Sequence, residues 1–223
     1  MRRTILPSLL FSLAIIGCGG DAENKKPNTE TLSEEDFQKN YVAMVKRIQA
    51  APKKTTIEKI PAYLETCLRD SMFEYWYGTR WGFYGTSPKP RQGKIACGYF
   101  VTTTLKHLGL NINHIYLAQQ ASSVLIKEVC DKNSIKIFTN SRFEKMLAYV
   151  KQYPGQIFIV GLDNHVGYMV KQKDDMYFVH SGGGRPLCVI KEKAEIANHL
   201  QWSKYHMVGH INFAHWAKGL KGN

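Results

Sequence analysis

The chain has 223 residues and a formal net charge of +12, with 30 lysines and arginines against 18 aspartates and glutamates. With 44% hydrophobic and 12% aromatic residues it can bury a core, which excludes a disordered or low-complexity protein. Its five cysteines are too few for a disulfide-dense small scaffold, and no pair has the Cys-x-x-Cys spacing of structural zinc sites.

The first 17 residues have the organisation of a secretory signal. Arg2 and Arg3 precede an apolar stretch over residues 5–16, which is too short to span a membrane as a mature helix. The run Ile15-Ile16-Gly17-Cys18 resembles a bacterial lipobox, which implies cleavage after residue 17 and lipidation of Cys18. An ordinary signal peptide is the alternative. A lipidated Cys18 would anchor the chain to a membrane of the bacterial cell envelope, and the glycine that follows it favours the outer membrane.

Residues 18–31 are polar and predict a flexible tether, and residues 32–223 are expected to form one domain. The basic residues are scattered along the chain rather than clustered on one helix. An exported basic protein is expected to meet anionic envelope surfaces, so we do not predict a nucleic-acid partner.

The first half of this domain is predicted to be helical. A helix starts near Ser33, where acidic residues suit a first turn, and a second covers about residues 56–75. Residues 76–92 are rich in glycine, proline and aromatic residues, which indicates a structured loop. A third helix is expected to begin at or beside Cys97 and to end near Gly109.

The second half changes from helical to strand periodicity. Residues near 115–150 predict a mainly helical insertion with a short strand at 135–138. Three β-branched and aromatic runs follow, at residues 156–160, 165–170 and 176–180, and a further strand is expected over 205–213. Helices followed by strands favour an α+β fold, with an antiparallel sheet packed against helices.

Cys97, His165 and His180 are the candidate catalytic residues. A thiol at a helix N-terminus can be activated by the unpaired N–H groups there, so we expect its pKa to be lowered. His165 and His180 lie on two successive predicted strands, where an antiparallel pairing can place them on one face. In this arrangement Cys97 is the nucleophile, His165 is the base and His180 orients His165. Asp163 and Asn164 are alternatives for the orienting role, although residues so close to His165 on a strand point elsewhere.

These residues together resemble the NlpC/P60 family of papain-like cysteine peptidases. The resemblance covers about residues 76–182: the aromatic stretch from Trp81 to Pro88, the run Ala96-Cys97-Gly98-Tyr99-Phe100, the strand entry Pro154-Gly155, then His165-Val166-Gly167 and Val179-His180-Ser181. It implies a papain-like fold and a cysteine hydrolase with a Cys-His-His triad and no cofactor. It also implies a peptide stem of peptidoglycan as the substrate.

The substrate is expected to meet three further residues. Trp81 and Tyr84 belong to the aromatic stretch, which suits a groove wall, and Ser181 opens the Ser-Gly-Gly-Gly turn that would let a substrate approach. The chain departs from the family pattern, because Ala96 and Gly98 stand where the family usually has aspartate and serine. Trp81 likewise stands where the family has tyrosine.

Two alternatives stay open because of these departures. One is a thiol amidase or acyltransferase acting on a substrate other than peptidoglycan. The other is a catalytically silent lipoprotein that binds an envelope component.

The remaining cysteines and histidines give weaker signals. Cys67, Cys130 and Cys188 allow at most one disulfide, whose pairing the sequence does not fix. His206, His210, His215 and Cys188 have no spacing that defines a metal site, so no metal is predicted.

Overall fold

The structure is a computed structural model that describes residues 32–140 and 142–221. The predicted signal peptide at 1–17, the predicted tether at 18–31 and the lipidation site Cys18 lie outside the described residues. Within the described ranges, no helix combines the length and the apolar character needed to cross a membrane.

The first helix, α1 (Glu34–Ala50), begins where the sequence predicts. The Ser33 hydroxyl caps it by accepting a hydrogen bond from the N–H of Asp36 at 3.1 Å. Three acidic residues in the first turn also favour this end, because it carries the positive pole of the helix dipole. The buried face presents Phe37, Tyr41 and Met44 at helical spacing.

The other helices are α2 (Ile60–Cys67), α3 (Phe73–Trp76), α4 (Cys97–His107), α5 (His114–Ala118), α6 (Ser122–Val129), α7 (Phe143–Gln152), α8 (Asn198–Trp202) and α9 (Phe213–Lys221). A π-helical turn, Leu68–Met72, joins α2 to α3, so the second predicted helix exists but changes its hydrogen bonding midway. The continuous periodicity near 116–129 is divided between α5 and α6, because Ala121 adopts an extended conformation with ψ 142°.

The strands are β1 (Arg80–Trp81), β2 (Lys94–Ile95), β3 (Lys136–Thr139), β4 (Ile157–Gly161), β5 (Val166–Gln172), β6 (Asp175–Ser181), β7 (Val189–Lys193) and β8 (Tyr205–His210). The last six form one sheet in the order β3-β8-β4-β5-β6-β7, in which every neighbouring pair is antiparallel. The predicted meander is thus confirmed as β4, β5 and β6. Strands β1 and β2 form a small parallel pair apart from this sheet.

Both faces of the central sheet are covered by helices. Along β4, Ile157 and Ile159 belong to a hydrophobic cluster that includes residues of α1, α2, α4 and α6. Phe158 and Val160 belong to a second cluster with residues of α7 and α8. Because side chains alternate along a strand, β4 is buried on both sides, which explains its uninterrupted apolar sequence.

The predicted class is confirmed in its coarse form: the chain is mixed α+β, with an antiparallel sheet packed against helices. The short strand predicted at 135–138 is confirmed as β3, which pairs with β8 and extends the sheet within the otherwise mainly helical segment near 115–150. One detail differs from the prediction. The strand predicted to reach Phe213 ends at His210, and Phe213 instead begins α9.

Candidate active site

Cys97 is the first residue of α4, where an extended segment turns into helix. Ala96 precedes it with φ −81° and ψ 162°, and its carbonyl accepts the N–H of Phe100 to close the first turn. The helix ends at His107, close to the predicted end, and Leu108 caps it; Gly109 follows with φ 101°, a left-handed conformation that favours glycine. The sequence therefore placed the thiol correctly at a helix N-terminus.

Cys97 and His165 line the same cleft, which has a volume of about 520 Å³. The rest of its lining comes from the chain around α5 and α6 and from the turn after β4: Gly98, Ala118, Gln120, Ala121, Ser122, Ser123, Leu162, Asp163, Asn164, Val166 and Tyr205. Most of these residues are small or polar and uncharged. The cleft therefore suits a polar, peptide-like ligand better than an apolar one.

His165 lies directly before β5 rather than within it, and 8% of its surface is exposed. Its Nε2 is 2.9 Å from Nδ1 of His180, which lies in β6 and is 1% exposed. His165 and Gly167 point to one face of β5, and a Cβ added at Gly167 would lie 2.8 Å from Cβ of His180. The glycine of the His-Val-Gly run thus leaves the space that His180 occupies.

Glu192, in β7, continues this chain of contacts. Nε2–H of His180 donates to Oε1 of Glu192 at 2.9 Å. In the antiparallel pairing of β6 with β7, Glu192 lies opposite Phe178 and His180 lies opposite Ile190, so His180 and Glu192 are diagonal neighbours on one face. The Phe178 ring stacks on His180 with its centroid 4.3 Å away. Packing and a carboxylate together hold the imidazole of His180.

The hydrogen bonds fix one set of tautomers when both histidines are neutral. A carboxylate can only accept, so the proton of His180 lies on Nε2 and its Nδ1 is an acceptor. Nε2 of His165 must then donate to that Nδ1. The proton of His165 is therefore on Nε2, which leaves Nδ1 of His165 free to take a proton.

Burial sets the pKa of the Cys97 thiol. The N–H groups of Cys97, Gly98 and Val166 favour the thiolate, but desolvation is the larger effect and raises the pKa. This corrects the expectation of a lowered thiol pKa. Desolvation of the sulfur raises the pKa more than the N–H groups at the helix N-terminus lower it. The resting group is a thiol.

Burial acts in the opposite direction on His165. Desolvation, followed by the charges of His180 and His199, lowers the pKa of His165 well below its ordinary value. His165 is accordingly neutral at physiological pH. The resting cleft thus contains a thiol and a neutral imidazole, and His165 is available as a general base.

His199 is a fourth member of this group that the sequence analysis missed. It lies in α8, with its ring centroid 4.5 Å from that of His165 and 4.9 Å from that of His180. The glycines after β6 leave room for this ring, since a Cβ at Gly182 or Gly184 would come within 3.2 or 3.3 Å of its Cε1. Glu192 was missed as well.

The three predicted substrate-contacting residues do not line the cleft. Tyr84 is 89% exposed and contacts Phe83, and Trp81 lies beside the backbone of Gly183. Ser181 is completely buried, and its hydroxyl donates to the carbonyl of Ile95 at 2.7 Å. The structure therefore corrects the assignment of Ser181 to substrate binding, because its side chain has no access to the surface.

Among the residues that the structure describes, the other histidines and cysteines give no group of three or more that could hold a metal ion. Nε2–H of His206 donates to the carbonyl of Leu200, and Nε2 of His210 lies 3.8 Å from Oε1 of Glu65. Cys188 pairs with Arg80 through a β-bridge. No disulfide links the four cysteines within the described ranges.

Comparisons of this chain with protein-family models, with curated proteins and with solved structures each found no match. What the site can do chemically therefore has to be inferred from its own residues.

Proposed function

We propose that this chain is a cysteine hydrolase that cleaves an amide or peptide bond. The observation that carries the proposal is the hydrogen-bonded series His165–His180–Glu192, which ends at the cleft that also contains Cys97. A thiol beside an imidazole whose orientation and tautomer are fixed by further groups is the arrangement that nucleophilic catalysis needs.

The residues suggest a two-stage reaction. Nδ1 of His165 takes the thiol proton as the sulfur of Cys97 attacks the substrate carbonyl carbon. The oxygen of the resulting tetrahedral intermediate can be stabilised by the N–H groups at the start of α4, which lie beside the sulfur. His165 then gives its proton to the leaving amine, and the carbon–nitrogen bond breaks.

A thioester on Cys97 remains after this first stage. Water, deprotonated by His165, attacks the thioester carbonyl and releases the acid together with the thiol. During both stages His165 carries a positive charge for a short time. His180 and the negative charge of Glu192 stabilise that charge through the two hydrogen bonds at 2.9 Å.

The resemblance to NlpC/P60 peptidases extends the proposal to the fold and the substrate. The order of Cys97, His165 and His180 and the antiparallel sheet beside α4 support a divergent papain-like fold. The substrate we propose is a peptidoglycan stem peptide, and the polar cleft supports a peptide ligand. Lipidation of Cys18 would hold the enzyme at the membrane next to this substrate.

Digestion of defined muropeptides by the full chain tests this proposal. We expect mass spectrometry to show one amide bond cleaved with the gain of one water, and no cleavage after Cys97 has been alkylated. A product in which an added amine replaces water would instead indicate an acyltransferase. Binding of muropeptides without turnover, unchanged by alkylation, would contradict a hydrolase and favour a binding lipoprotein.

Glu192→Gln is expected to lower kcat/KM by about 10- to 100-fold, the range expected for losing one charged hydrogen bond. The amide can donate as well as accept, so it no longer fixes the tautomer of His180. Removing the negative charge also destabilises the protonated histidines. The acid limb of kcat/KM, which reports protonation of the base, should therefore move to lower pH.

Glu195→Gln is the matched control, because Glu195 is an exposed acid near the same strand. It should change neither the rate nor the pH profile. A Glu192→Gln enzyme that loses activity with an unmoved acid limb would show that Glu192 serves only the fold.

A further inference from the structure

We propose that His165, His180 and His199 form a binding site for a divalent transition-metal ion such as Zn²⁺. One ring nitrogen from each of the three lies within 4.8 Å of the others. Two of the rings are almost fully buried, and His199 lies at the outer side of the group, partly exposed. Three convergent imidazoles with one accessible side are a ligand set that leaves a position open for water or another ligand.

One pair of nitrogens already has nearly the spacing that tetrahedral zinc needs. Zinc–nitrogen bonds of about 2.0–2.1 Å place two ligand nitrogens roughly 3.3 Å apart. Nε2 of His165 and Nδ1 of His180 are 2.9 Å apart, so they would separate by a few tenths of an ångström. His199 lies on α8, a five-residue helix outside the sheet, and its ring would complete the ligand set by moving toward the pair.

Glu192 supplies an independent indication of a metal site. Histidines that bind metals usually donate their second N–H to a carboxylate, which fixes the tautomer and strengthens the ligand. Nε2–H of His180 makes this bond to Oε1 of Glu192 and so directs the lone pair of Nδ1 toward His165 and the centre of the group. The ligand nitrogen of His180 is therefore ready without any proton rearrangement.

Metal binding would switch off the proposed hydrolase, and this consequence rests on the proposed function. Coordination through Nε2 of His165 needs the lone pair on that atom, so the proton of a neutral His165 must move to Nδ1. The tautomer for catalysis is the opposite one. An occupied site therefore lacks the base that takes the proton of Cys97.

Titration of the metal-free full chain with Zn²⁺ tests the site directly, with competition against a chromophoric chelator as the readout. We expect one ion per chain. His199→Ala should lower the affinity by about 100-fold, and Glu192→Gln should lower it by about 10- to 100-fold, because the carboxylate that orients His180 is lost. The control is His215→Ala, which removes an exposed histidine of α9 and should bind as the wild type does. Equal affinity in His199→Ala and wild type, or no binding at micromolar Zn²⁺, would overturn the proposal.

Two further measurements separate this site from the thiol chemistry. Co²⁺ bound to the wild type should give a tetrahedral spectrum without a sulfur charge-transfer band, and Cys97→Ser should bind Zn²⁺ with wild-type affinity. A sulfur band that disappears in Cys97→Ser would overturn the three-histidine site. Zinc binding in a chain that cleaves no amide would support the metal site and refute the hydrolase, whereas zinc-insensitive cleavage would refute the metal site alone.

Discussion

Replacing Cys97 with alanine is expected to lower the rate of amide hydrolysis by about 10⁴-fold or more, because the covalent intermediate forms on the sulfur that the substitution removes. The substitution removes a single sulfur atom from the wall of an open cleft, so the fold should be retained. His165→Ala should lose activity to a similar extent, since it removes the base. The rate of muropeptide cleavage, measured beside circular dichroism of each variant, provides the check.

Cys188→Ala is the matched control for this prediction. Cys188 is a partly exposed cysteine outside the cleft, so the same chemical change should leave the rate within about twofold. The double variant Cys97→Ala with His165→Ala should be no less active than either single variant, because residues that act as a unit are not additive. Cleavage by folded Cys97→Ala at more than a few per cent of the wild-type rate would refute Cys97 as the nucleophile.

The sequence predicted those helix ends and strands that depend on residues close together in the chain. The acidic first turn and apolar spacing of α1 predicted its start at Ser33, and a glycine predicted the end of α4. The three successive strand patterns predicted β4 to β6, which bring His165 and His180 together. These features depend on residues within a few positions of each other, so a single chain reveals them.

Glu192 and His199 could not be predicted because their roles depend on pairing between distant segments. Glu192 stands between two lysines in a strand, and its sequence context is that of a solvated charge. The register of β6 against β7 places it next to His180. His199 is brought to the site by a short helix with no recognisable pattern, so only the folded chain reveals it.

Gly98 stands where the NlpC/P60 pattern that the sequence resembles has serine, and the tertiary structure explains this difference. A Cβ at this position would lie 2.5 Å from the carbonyl oxygen of Ala118, at the end of α5. The serine that the family has after its nucleophile would therefore displace α5 or tilt the start of α4. The chain segment near 115–150 contributes α5 and part of the cleft wall. The close packing of α5 against the start of α4 therefore requires a glycine at position 98.

Acid should destabilise the fold through His107, the last residue of α4. The indole N–H of Trp76 donates to the Tyr41 hydroxyl at 2.8 Å. That hydroxyl lies 2.7 Å from Nδ1 of His107 and 3.3 Å from Sδ of Met72. Because the hydroxyl has one proton and an imidazole nitrogen is a better acceptor than a thioether sulfur, Nδ1 of a neutral His107 accepts that proton. Protonation of Nδ1 would remove this acceptor. Burial, with smaller effects from the charges of His114 and Lys106, lowers the pKa of His107 to about 4.

The sign of the effect follows from proton counts. An unfolded histidine takes up a proton near pH 6.5, whereas His107 in the folded chain does so only near pH 4, so between these values the unfolded state binds more protons. The stability that the neutral His107 contributes is complete above about pH 6.5 and is lost as the pH falls toward about 4.

Between about pH 7.5 and about pH 4.5, protonation linked to His107 should lower the free energy of unfolding by about 2 kcal/mol, a figure discounted for partial exposure. His107→Gln keeps an acceptor for Tyr41 but cannot titrate, so it should lose about that much less over the same range, as measured by urea denaturation. His165 and His199 act in the same direction in both proteins and cancel in the comparison. Identical pH dependence of the wild type and His107→Gln would mean that His107 already titrates normally in the folded chain.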